Sequence, residues 1–356
     1  MFDKISSDNI LSNPISIAEQ KWRKGTTPLV SISCITYNHR QFIREAIESF
    51  LIQKTTFPVE ILIHDDASSD GTSEIVREYE SKHPDIIFSV YQTVNQYSKG
   101  IDPSLVYQFP RLRGKFIAFC EGDDYWIDSL KLQKQVDIFL KYPDTIICGG
   151  RAKTWNESKS VFTVVTPSPS KDIACMSPRN FFYLGDWVKN CTRMVPRELM
   201  LSIPLSYFRD YKSVHYLLAK NPNGFFRCLN EVVAVYRESA GGIFSGADPV
   251  NVLEYNFESK VLLAGLFSDD RLYSMKERAA EAARQLAQIS SLSFRKRVFY
   301  VWQYIYLLYG DFSISGIKRT LTRALDSWAL RLDRYPVIKQ FLKPFASFIR
   351  QRFLRS

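Results

Sequence analysis

The pattern of apolar positions predicts an open α/β sheet in the first half of the chain. Five short runs rich in Val, Ile and Phe are apolar almost throughout, which is typical of strands buried on both faces of a parallel sheet. They are residues 29–35, 59–63, 86–91, 116–120 and 145–148. Between them, residues 42–51, 75–79 and 130–140 repeat apolar side chains at helical spacing, and Asp128 or Ser129 is the expected N-cap of the last helix. Sheets of this class bind ligands at the carboxyl ends of their strands.

The rest of the chain divides into a mixed region and a helical region. Seven prolines interrupt the periodicity between residues 151 and 256, and helical spacing returns from about residue 251. We predict a polar lead-in over 1–27 and a main domain over 28–256, whose halves 28–150 and 151–256 close one site. Residues 257–356 are predicted to form a helical, basic C-terminal region. A length of 356 residues suits one large domain or two.

The net charge of +10 lies in the last 64 residues. From Ser293 onward there are 13 Lys and Arg against 3 Asp and Glu, whereas the preceding residues carry 34 of each. A nucleic-acid enzyme would carry its basic surface around its site, so we expect no nucleic-acid partner. The excess indicates a docking element instead.

Residues 314–353 repeat Ile, Leu, Phe and Trp every three or four positions with Lys and Arg between them. Basic amphipathic helices of this kind lie in membrane interfaces and are attracted to anionic lipid. We therefore expect peripheral attachment to the inner face of the cell membrane. The alternatives are a helical subdomain packed on the main domain and a self-association surface, which would make a homo-oligomer.

Several features favour a cytoplasmic location. The longest nearly uninterrupted apolar run, residues 298–309, has 12 residues, and crossing a bilayer takes about 20. The N-terminus is polar and lacks the apolar core of a signal peptide. The six cysteines include no CxxC pair, which suits reduced thiols better than a disulfide framework or a zinc site.

Candidate chemistry lies in three polar loops that follow predicted strands. They are Thr36-Tyr37-Asn38-His39, then Asp65-Asp66-Ala67-Ser68-Ser69-Asp70-Gly71-Thr72, then Glu121-Gly122-Asp123-Asp124-Tyr125-Trp126. At one sheet edge they would combine an aromatic face, an amide and two carboxylate clusters. Clustered carboxylates repel one another unless a cation or a hydrogen-bond donor compensates them. Mg²⁺ or Mn²⁺ bridges such carboxylates to phosphates, so the loops predict a site for a metal–diphosphate ligand.

Not every acidic residue of these loops needs a ligand. Asp70 and Ser69 are better interpreted as caps of the following helix, because Asp and Ser are preferred at N-caps.

The segment 30–38 and the two acidic loops, in this order and spacing, resemble glycosyltransferase family 2 over about residues 28–246. The resemblance implies a GT-A type fold: a mixed, mainly parallel sheet flanked by helices, with 28–150 as the nucleotide-sugar half and 151–256 as the acceptor half. It also implies an inverting, Mn²⁺- or Mg²⁺-dependent transferase that uses a nucleotide-diphosphate sugar donor and a glycan or lipid-linked glycan acceptor. Bacterial surface polysaccharide synthesis is the expected setting.

The resemblance also assigns roles to individual residues. Tyr37 would lie against the nucleotide base between Thr36 and Asn38, and Asp66 would accept a hydrogen bond from that base. Asp123 and Asp124 would handle metal and diphosphate, with Asp124 the expected direct ligand. Asn95 follows the third predicted strand, and its position there allows either a contact with the nucleoside or a plain loop role. The diphosphate or the acceptor would also meet Glu121 and Trp126, and Arg237 would either neutralise the diphosphate or make an ordinary salt bridge.

The family places an acidic general base at the start of a helix, upstream of a Tyr-Arg strand. Asp210 occupies such a position before Tyr236-Arg237, whereas Asp186, within Gly185-Asp186-Trp187, lies further upstream. We therefore favour Asp210 over Asp186. A carboxylate there would take the proton of the attacking hydroxyl, and the metal would neutralise the leaving diphosphate.

Two rival functions remain open at this point. A nucleotidyltransferase also uses carboxylates on an α/β sheet, but it would carry a Gly-rich loop with Lys or Arg after the first strand, where this chain has Thr-Tyr-Asn-His. A non-catalytic glycan-binding scaffold of the same fold would have lost its metal carboxylates, and Asp123 and Asp124 are both present.

Overall fold

The computed structural model describes residues 10–167, 174–184, 188–208, 210–238 and 248–309. The chain forms two compact units, Met1–Ser245 and Gly246–Ser356, and each is described by itself. The domain limits predicted at 27/28, 150/151 and 256/257 remain predictions.

The first unit has twelve strands in the described ranges, and ten of them form a large mixed sheet. Its strands are β1 (Ile15–Ser16), β2 (Val30–Thr36), β3 (Lys54–Thr55), β4 (Val59–Asp65), β5 (Ile87–Tyr91), β6 (Phe116–Phe119), β7 (Tyr125–Trp126), β8 (Thr145–Asn156), β9 (Val161–Thr166), β10 (Cys175–Met176), β11 (Met194–Pro196) and β12 (Phe225–Glu238). Within the described ranges the sheet order is β10-β12-β8-β11-β6-β2-β4-β5, with β7 paired to β12 and β9 to β8. β1 and β3 form a separate antiparallel pair.

The helices of this unit are α1 (Ile43–Leu51), α2 (Thr72–Lys82), α3 (Lys131–Lys141), α4 (Pro178–Leu184), α5 (Arg197–Leu201) and α6 (Asp210–Lys220). α1 forms as predicted because its apolar residues recur on one face, and Ile43, Ala46, Ile47 and Phe50 are fully buried. α3 begins one residue later than predicted, and its N-cap is Leu130 rather than Asp128 or Ser129. The Asp128 carboxylate accepts the Leu130 N–H at 2.9 Å.

The sheet is mixed, and most of its paired residues in the described ranges belong to parallel pairs, which confirms the prediction of a mixed, mainly parallel sheet flanked by helices. β2 pairs in parallel with β4 and β6, and β4 pairs in parallel with β5. β8 and β12 form a second parallel pair. β11 lies between the two sets and is antiparallel to both β6 and β8.

The second unit contains α7 (Pro249–Ala264), α8 (Asp270–Gln288) and α9 (Phe294–Tyr309). Asp248 and Asp269 cap α7 and α8 by accepting backbone N–H groups of Val250 and Arg271. Small buried residues on α8, among them Ala279 and Ala283, leave room for neighbouring side chains in the core of this unit. The predicted helical character is confirmed as far as Tyr309, and the basic segment 314–353 lies outside the described residues. Of the helices described here, none combines the length and the apolar character that crossing a bilayer requires.

The six cysteines are free thiols that differ in exposure. Cys175 on β10 is exposed, and the other five are buried: Cys34, Cys120, Cys148, Cys191 and Cys228.

Candidate active site

The two acidic loops meet at the carboxyl end of β2. We call residues 65–72 the first acidic loop and residues 121–126 the second acidic loop. The Asp66 N–H donates to the Thr36 carbonyl at 3.0 Å, and the Gly122 N–H donates to the Ile35 carbonyl at 2.8 Å. Both loops are therefore fixed to adjacent peptide groups of the central strand, one on each side.

The loop after β2 bridges the acidic loops. The Asn38 N–H donates to Ser68 Oγ, the Asn38 Oδ1 accepts the Ser69 N–H, and both distances are 2.9 Å. Asn38 has a φ of 54°, a left-handed conformation that Asn tolerates better than most residues. On the other side, His39 Nε2 lies 3.8 Å from Asp123 Oδ2.

Thr36 and Tyr37 occupy contrasting positions in that loop. Thr36 is fully buried, and a Cβ atom at Gly122 would come within 2.6 Å of its Oγ1, so only glycine allows this close approach. Tyr37 is 44% exposed, which leaves its ring available for stacking at the sheet edge.

The carboxylates of the first acidic loop are surrounded by hydrogen-bond donors. Asp65 accepts the Ser68 N–H at 3.1 Å as well as the hydroxyls of Ser68 and Ser73. The N-cap of α2 is Gly71 rather than Ser69 or Asp70, but the Asp70 carboxylate accepts the first N–H of the helix, that of Thr72, at 3.0 Å. It also accepts the Thr72 hydroxyl at 2.6 Å and the Arg40 N–H at 3.0 Å. Burial alone would raise the pKa of Asp70, but these hydrogen bonds outweigh it and lower the pKa.

Asp66 holds the loop that follows β5. Its buried carboxylate accepts the Gln96 N–H at 2.8 Å through one oxygen and the Tyr97 N–H at 3.0 Å through the other. His64 Nε2 lies 3.7 Å from the same carboxylate. Next to these amides, Asn95 accepts the Ser98 N–H at 2.7 Å. The structure thus brings Asp66 and Asn95 to the predicted region and shows that both order the backbone there.

The second acidic loop has a different electrostatic character. The pKa of Glu121 is raised to about 7, chiefly by burial and also by the charge of Asp123. A hydrogen bond from the Asn190 side-chain amide acts in the opposite direction and lowers the pKa. Burial also raises the pKa of Asp124, and the charges of Asp123 and Glu121 add to this effect. One Asp124 oxygen accepts the Arg237 N–H at 2.8 Å. These carboxylates are therefore placed where positive charge would stabilise their ionised forms.

Arg237 is already engaged within the protein. Its guanidinium donates to the Asp123 carbonyl at 2.6 Å and pairs with Glu45. It packs between the rings of Phe42 and Tyr125, 4.9 Å and 4.4 Å from their centroids, and only 9% of the side chain is exposed. Arg237 therefore clamps the second acidic loop to β12 and α1, and the structure does not leave it open to a diphosphate.

Trp126 lies in the core rather than at the surface of the site. Only 2% of the residue is exposed, and its indole N–H donates to the Cys191 carbonyl at 2.6 Å. The ring packs 4.8 Å from Phe50, and the Lys131 ammonium lies 4.0 Å from its centroid. The position expected to meet diphosphate or acceptor is therefore a packing position.

Two residues that the sequence reasoning missed, Lys189 and Asn190, lie beside the second acidic loop. β11 is antiparallel to β6, with Met194 opposite Ala118, so the residues before β11 lie beside those that follow β6. The Asn190 amide reaches Glu121 in this way. A strand of three residues that ends in proline offers little signal, because proline seldom lies within a sheet.

The general-base candidates are only partly described. Asp210 is the first residue of α6, as the predicted helix start requires, but its side chain lies outside the described residues. Asp186 also lies outside them.

The second acidic loop has a donor set that suits a hard divalent cation. In the described ranges, no group of three or more His, Cys, Asp or Glu side chains is arranged to hold a metal ion by itself. Mg²⁺ commonly uses one or two carboxylates and completes its shell with water and substrate phosphates. Asp123 is partly exposed, and one Asp124 oxygen accepts the Arg237 N–H. These oxygen atoms fit a divalent cation that takes its remaining ligands from water and from a bound phosphate.

The sequence comparisons agree with this architecture. Residues 31–191 match the family Glycosyl transferase family 2. The chain is 32% identical over 224 residues to the uncharacterized protein Rv1520 of Mycobacterium tuberculosis, which is 61% of each chain. It is 34% identical over 114 residues to the putative teichuronic acid biosynthesis glycosyltransferase TuaG of Bacillus subtilis, covering 32% of this chain and 43% of TuaG. The chain therefore spans less than two thirds of these relatives.

Solved structures show the same fold. S. aureus TarS 1–349 in complex with UDP-GlcNAc matches with a TM-score of 0.56 at 17% identity, covering 83% of this chain and 84% of that chain. The mannosyltransferase PcManGT from Pyrobaculum calidifontis in complex with GDP-Man and Mn²⁺ matches with a TM-score of 0.51 at 16% identity, covering 86% and 91%. The shared fold and the match over residues 31–191 support an assignment of the chain to glycosyl transferase family 2.

Proposed function

We propose that this protein is an inverting glycosyltransferase that moves a sugar from a nucleoside-diphosphate donor to a hydroxyl of a glycan or lipid-linked glycan in surface polysaccharide synthesis. The observation that carries the proposal is the meeting of both acidic loops at the end of β2, beside the exposed ring of Tyr37. The family match supports the reaction class. The name of TuaG and the ligands of TarS and PcManGT support the donor class and the setting.

In this proposal the donor lies across the end of β2. The Tyr37 ring stacks on the base, and Asp66 holds the Gln96–Tyr97 amides that form the border of the base site. Asp123, with Glu121 beside it, would hold Mn²⁺ or Mg²⁺. Asp123 is better placed than Asp124 as the direct ligand because one Asp124 oxygen is occupied by the Arg237 N–H. When bound, the metal neutralises charge on the diphosphate.

The transfer is a single displacement. The acceptor hydroxyl oxygen forms a bond to the anomeric carbon while the bond from that carbon to the diphosphate oxygen breaks, which inverts the configuration. The hydroxyl proton goes to Asp210, the first residue of α6. General-base catalysis of this kind is worth about 10²–10⁴-fold.

The test is to incubate the full chain with UDP-glucose, UDP-GlcNAc, UDP-galactose and GDP-mannose, with Mn²⁺ or with EDTA, and to measure the nucleoside diphosphate released. We expect Mn²⁺-dependent release from at least one donor. A parallel incubation with nucleoside triphosphate and sugar 1-phosphate should release no pyrophosphate. Pyrophosphate release would identify a nucleotidyltransferase, and failure to bind or turn over any nucleotide would favour a glycan-binding scaffold.

The general base is tested separately. Asp210→Asn should bind the nucleotide sugar that the wild type turns over with unchanged affinity, since the residue is proposed to act on the acceptor. It should abolish transfer of the sugar to the acceptor. Transfer at the wild-type rate would show that another group is the base.

Peripheral membrane attachment belongs to the proposal through residues 314–353, which lie outside the described residues. The full chain should co-sediment with phosphatidylglycerol vesicles but not with phosphatidylcholine vesicles. Replacing Lys318, Arg319 and Arg323 with Glu should weaken that binding, because attraction to anionic lipid is about 1 kcal/mol for each basic residue. Equal binding of the wild type and this triple variant to phosphatidylglycerol vesicles would contradict membrane attachment through residues 314–353.

A further inference from the structure

The backbone of Lys189 is fixed beside the second acidic loop. Its carbonyl accepts the Thr192 N–H at 3.0 Å and the Thr192 hydroxyl at 2.9 Å, which closes the short turn over Asn190–Thr192. The same turn offers the Cys191 carbonyl to the Trp126 indole and the Asn190 amide to Glu121. The main chain at Lys189 is thus held by the elements that carry the acidic loop.

The ammonium of Lys189 lies over a ring next to the second acidic loop. Its Nζ is 3.9 Å from the centroid of the Tyr236 ring. Tyr236 precedes Arg237, whose backbone N–H donates to Asp124 at 2.8 Å, and follows Val235, which pairs with Tyr125, so this ring lies beside the second acidic loop. A lysine ammonium over an aromatic face still has N–H groups that can donate to an anion.

Besides the proposed metal ion, the diphosphate would be stabilised by a side-chain cation, and Arg237 is not free for this role. A nucleoside diphosphate brings negative charge to a loop that already holds three carboxylates. Arg237 donates to the Asp123 carbonyl and pairs with Glu45, and it is almost fully buried. Lys189 is half-buried and its described contact is with a ring rather than with a carboxylate.

We propose that Lys189 binds the diphosphate of the donor and stabilises it as the leaving group, with Tyr236 as the surface on which the ammonium rests in the free protein. This inference rests on the proposed function and adds to it the side-chain cation of the diphosphate site. A lysine ammonium suits this role because it acts as a compact point charge toward phosphate.

The experiment measures the affinities of UDP, GDP, uridine and guanosine in Mn²⁺ by titration calorimetry. Lys189→Met should weaken the binding of the preferred nucleoside diphosphate about tenfold, the loss expected for one charge-assisted contact, and should leave nucleoside binding unchanged. Lys189→Arg should restore most of the affinity. Lys153→Met is the matched control, because Lys153 is exposed in the same unit and its ammonium also lies near a ring, 5.6 Å from Phe162.

The outcomes separate the two proposals. Wild-type diphosphate affinity in Lys189→Met, or an equal loss for nucleoside and diphosphate together with a lower melting temperature, would overturn the role of Lys189 while the proposed function stands. Absence of nucleotide binding by the wild-type protein would overturn the proposed function and this inference with it.

Discussion

The two acidic loops lie on either side of one strand and stabilise their carboxylates in opposite ways. In the first acidic loop, Asp65, Asp66 and Asp70 accept hydrogen bonds from backbone amides and hydroxyls. In the second, Asp124 is buried and Glu121 half-buried close to Asp123, and the pKa values of Glu121 and Asp124 are raised. Acidic residues that look alike in sequence therefore divide into a set that builds the loop and a set whose ionised forms a positive charge would stabilise.

The division follows from where each loop is fixed to the protein. The first acidic loop leads into α2, whose start supplies N–H and hydroxyl donors. The second acidic loop leads into the short strand β7. Arg237 holds this loop in place, because its guanidinium donates to the Asp123 carbonyl and pairs with Glu45. Carboxylates without enough donors stay ionised only beside a cation.

The largest expected effect comes from removing charge in the second acidic loop. Asp123→Asn should lower Mn²⁺-dependent release of nucleoside diphosphate about a thousandfold, because it removes the partly exposed carboxylate proposed to hold the metal. Asp70→Asn makes the same change in the first acidic loop and should keep the rate within a few-fold while costing about 1 kcal/mol of stability as a weakened helix cap. Equal rate losses in both variants would end the distinction between the loops.

The next effect is on stability and has the opposite distribution. Asp66→Asn should lower the free energy of unfolding in urea by about 2 kcal/mol, since an amide cannot accept both the Gln96 and the Tyr97 N–H. Asp124→Asn keeps an acceptor for the Arg237 N–H and relieves repulsion with Glu121 and Asp123, so its stability should match or exceed that of the wild type. The reverse order would contradict our interpretation.

Lys131 provides a test of the core behind the second acidic loop. Burial lowers its pKa from the usual 10.5 to about 8, although neighbouring cysteines and Asp128 raise it somewhat. The unfolded chain therefore holds a proton that the folded protein has lost between about pH 8 and 10.5, and stability should rise with pH across this window. Relative to Lys131→Met, the wild type should gain about 2 kcal/mol in urea unfolding between pH 7.5 and 10.

The control for this pH effect is Lys134→Met on the same helix. The hydrogen bond to Asp128 raises the pKa of Lys134, so its interaction stabilises the protein below the ordinary lysine pKa and gives no rise above pH 8. If the free energies of unfolding of the wild type and Lys131→Met changed in parallel with pH, burial would not destabilise the charged form of Lys131.

The smallest effect concerns the residue between the loops. Tyr37 is 44% exposed, so Tyr37→Ala should change the free energy of unfolding by no more than about 0.5 kcal/mol. Loss of base stacking should weaken uridine or guanosine binding about tenfold. Unchanged nucleoside affinity would place the base elsewhere.

Much of the first half of the fold could be predicted because its strands are short, apolar and followed by polar loops. β2 and β4 begin within one residue of the predicted strands and extend slightly further. β8 continues to Asn156, eight residues past the end of the predicted strand. The prediction stops early because Gly149, Gly150 and Arg151 interrupt the apolar run. Arg151 is buried there through hydrogen bonds to the Asn230 carbonyl and side chain, a long-range pairing that the local pattern does not contain.

The site could be predicted only as far as residues follow parallel strands. Tyr37, Asp66 and Asp123 do so, and they meet at one edge as expected. Lys189 and Asn190 reach the same edge on an antiparallel strand from a distant part of the chain. Lys131 reads as a surface residue on a helix, since lysine is almost never fully buried, yet it lies entirely inside, over Trp126.

The uneven exposure of the cysteines makes this protein convenient for spectroscopy. Thiol-directed dyes react with the thiolate, and burial raises the pKa of each of the five enclosed sulfhydryl groups. Cys175 is the exposed exception. A maleimide fluorophore should therefore label the native sequence at a single position, on β10 beside the start of β12, without any engineered cysteine.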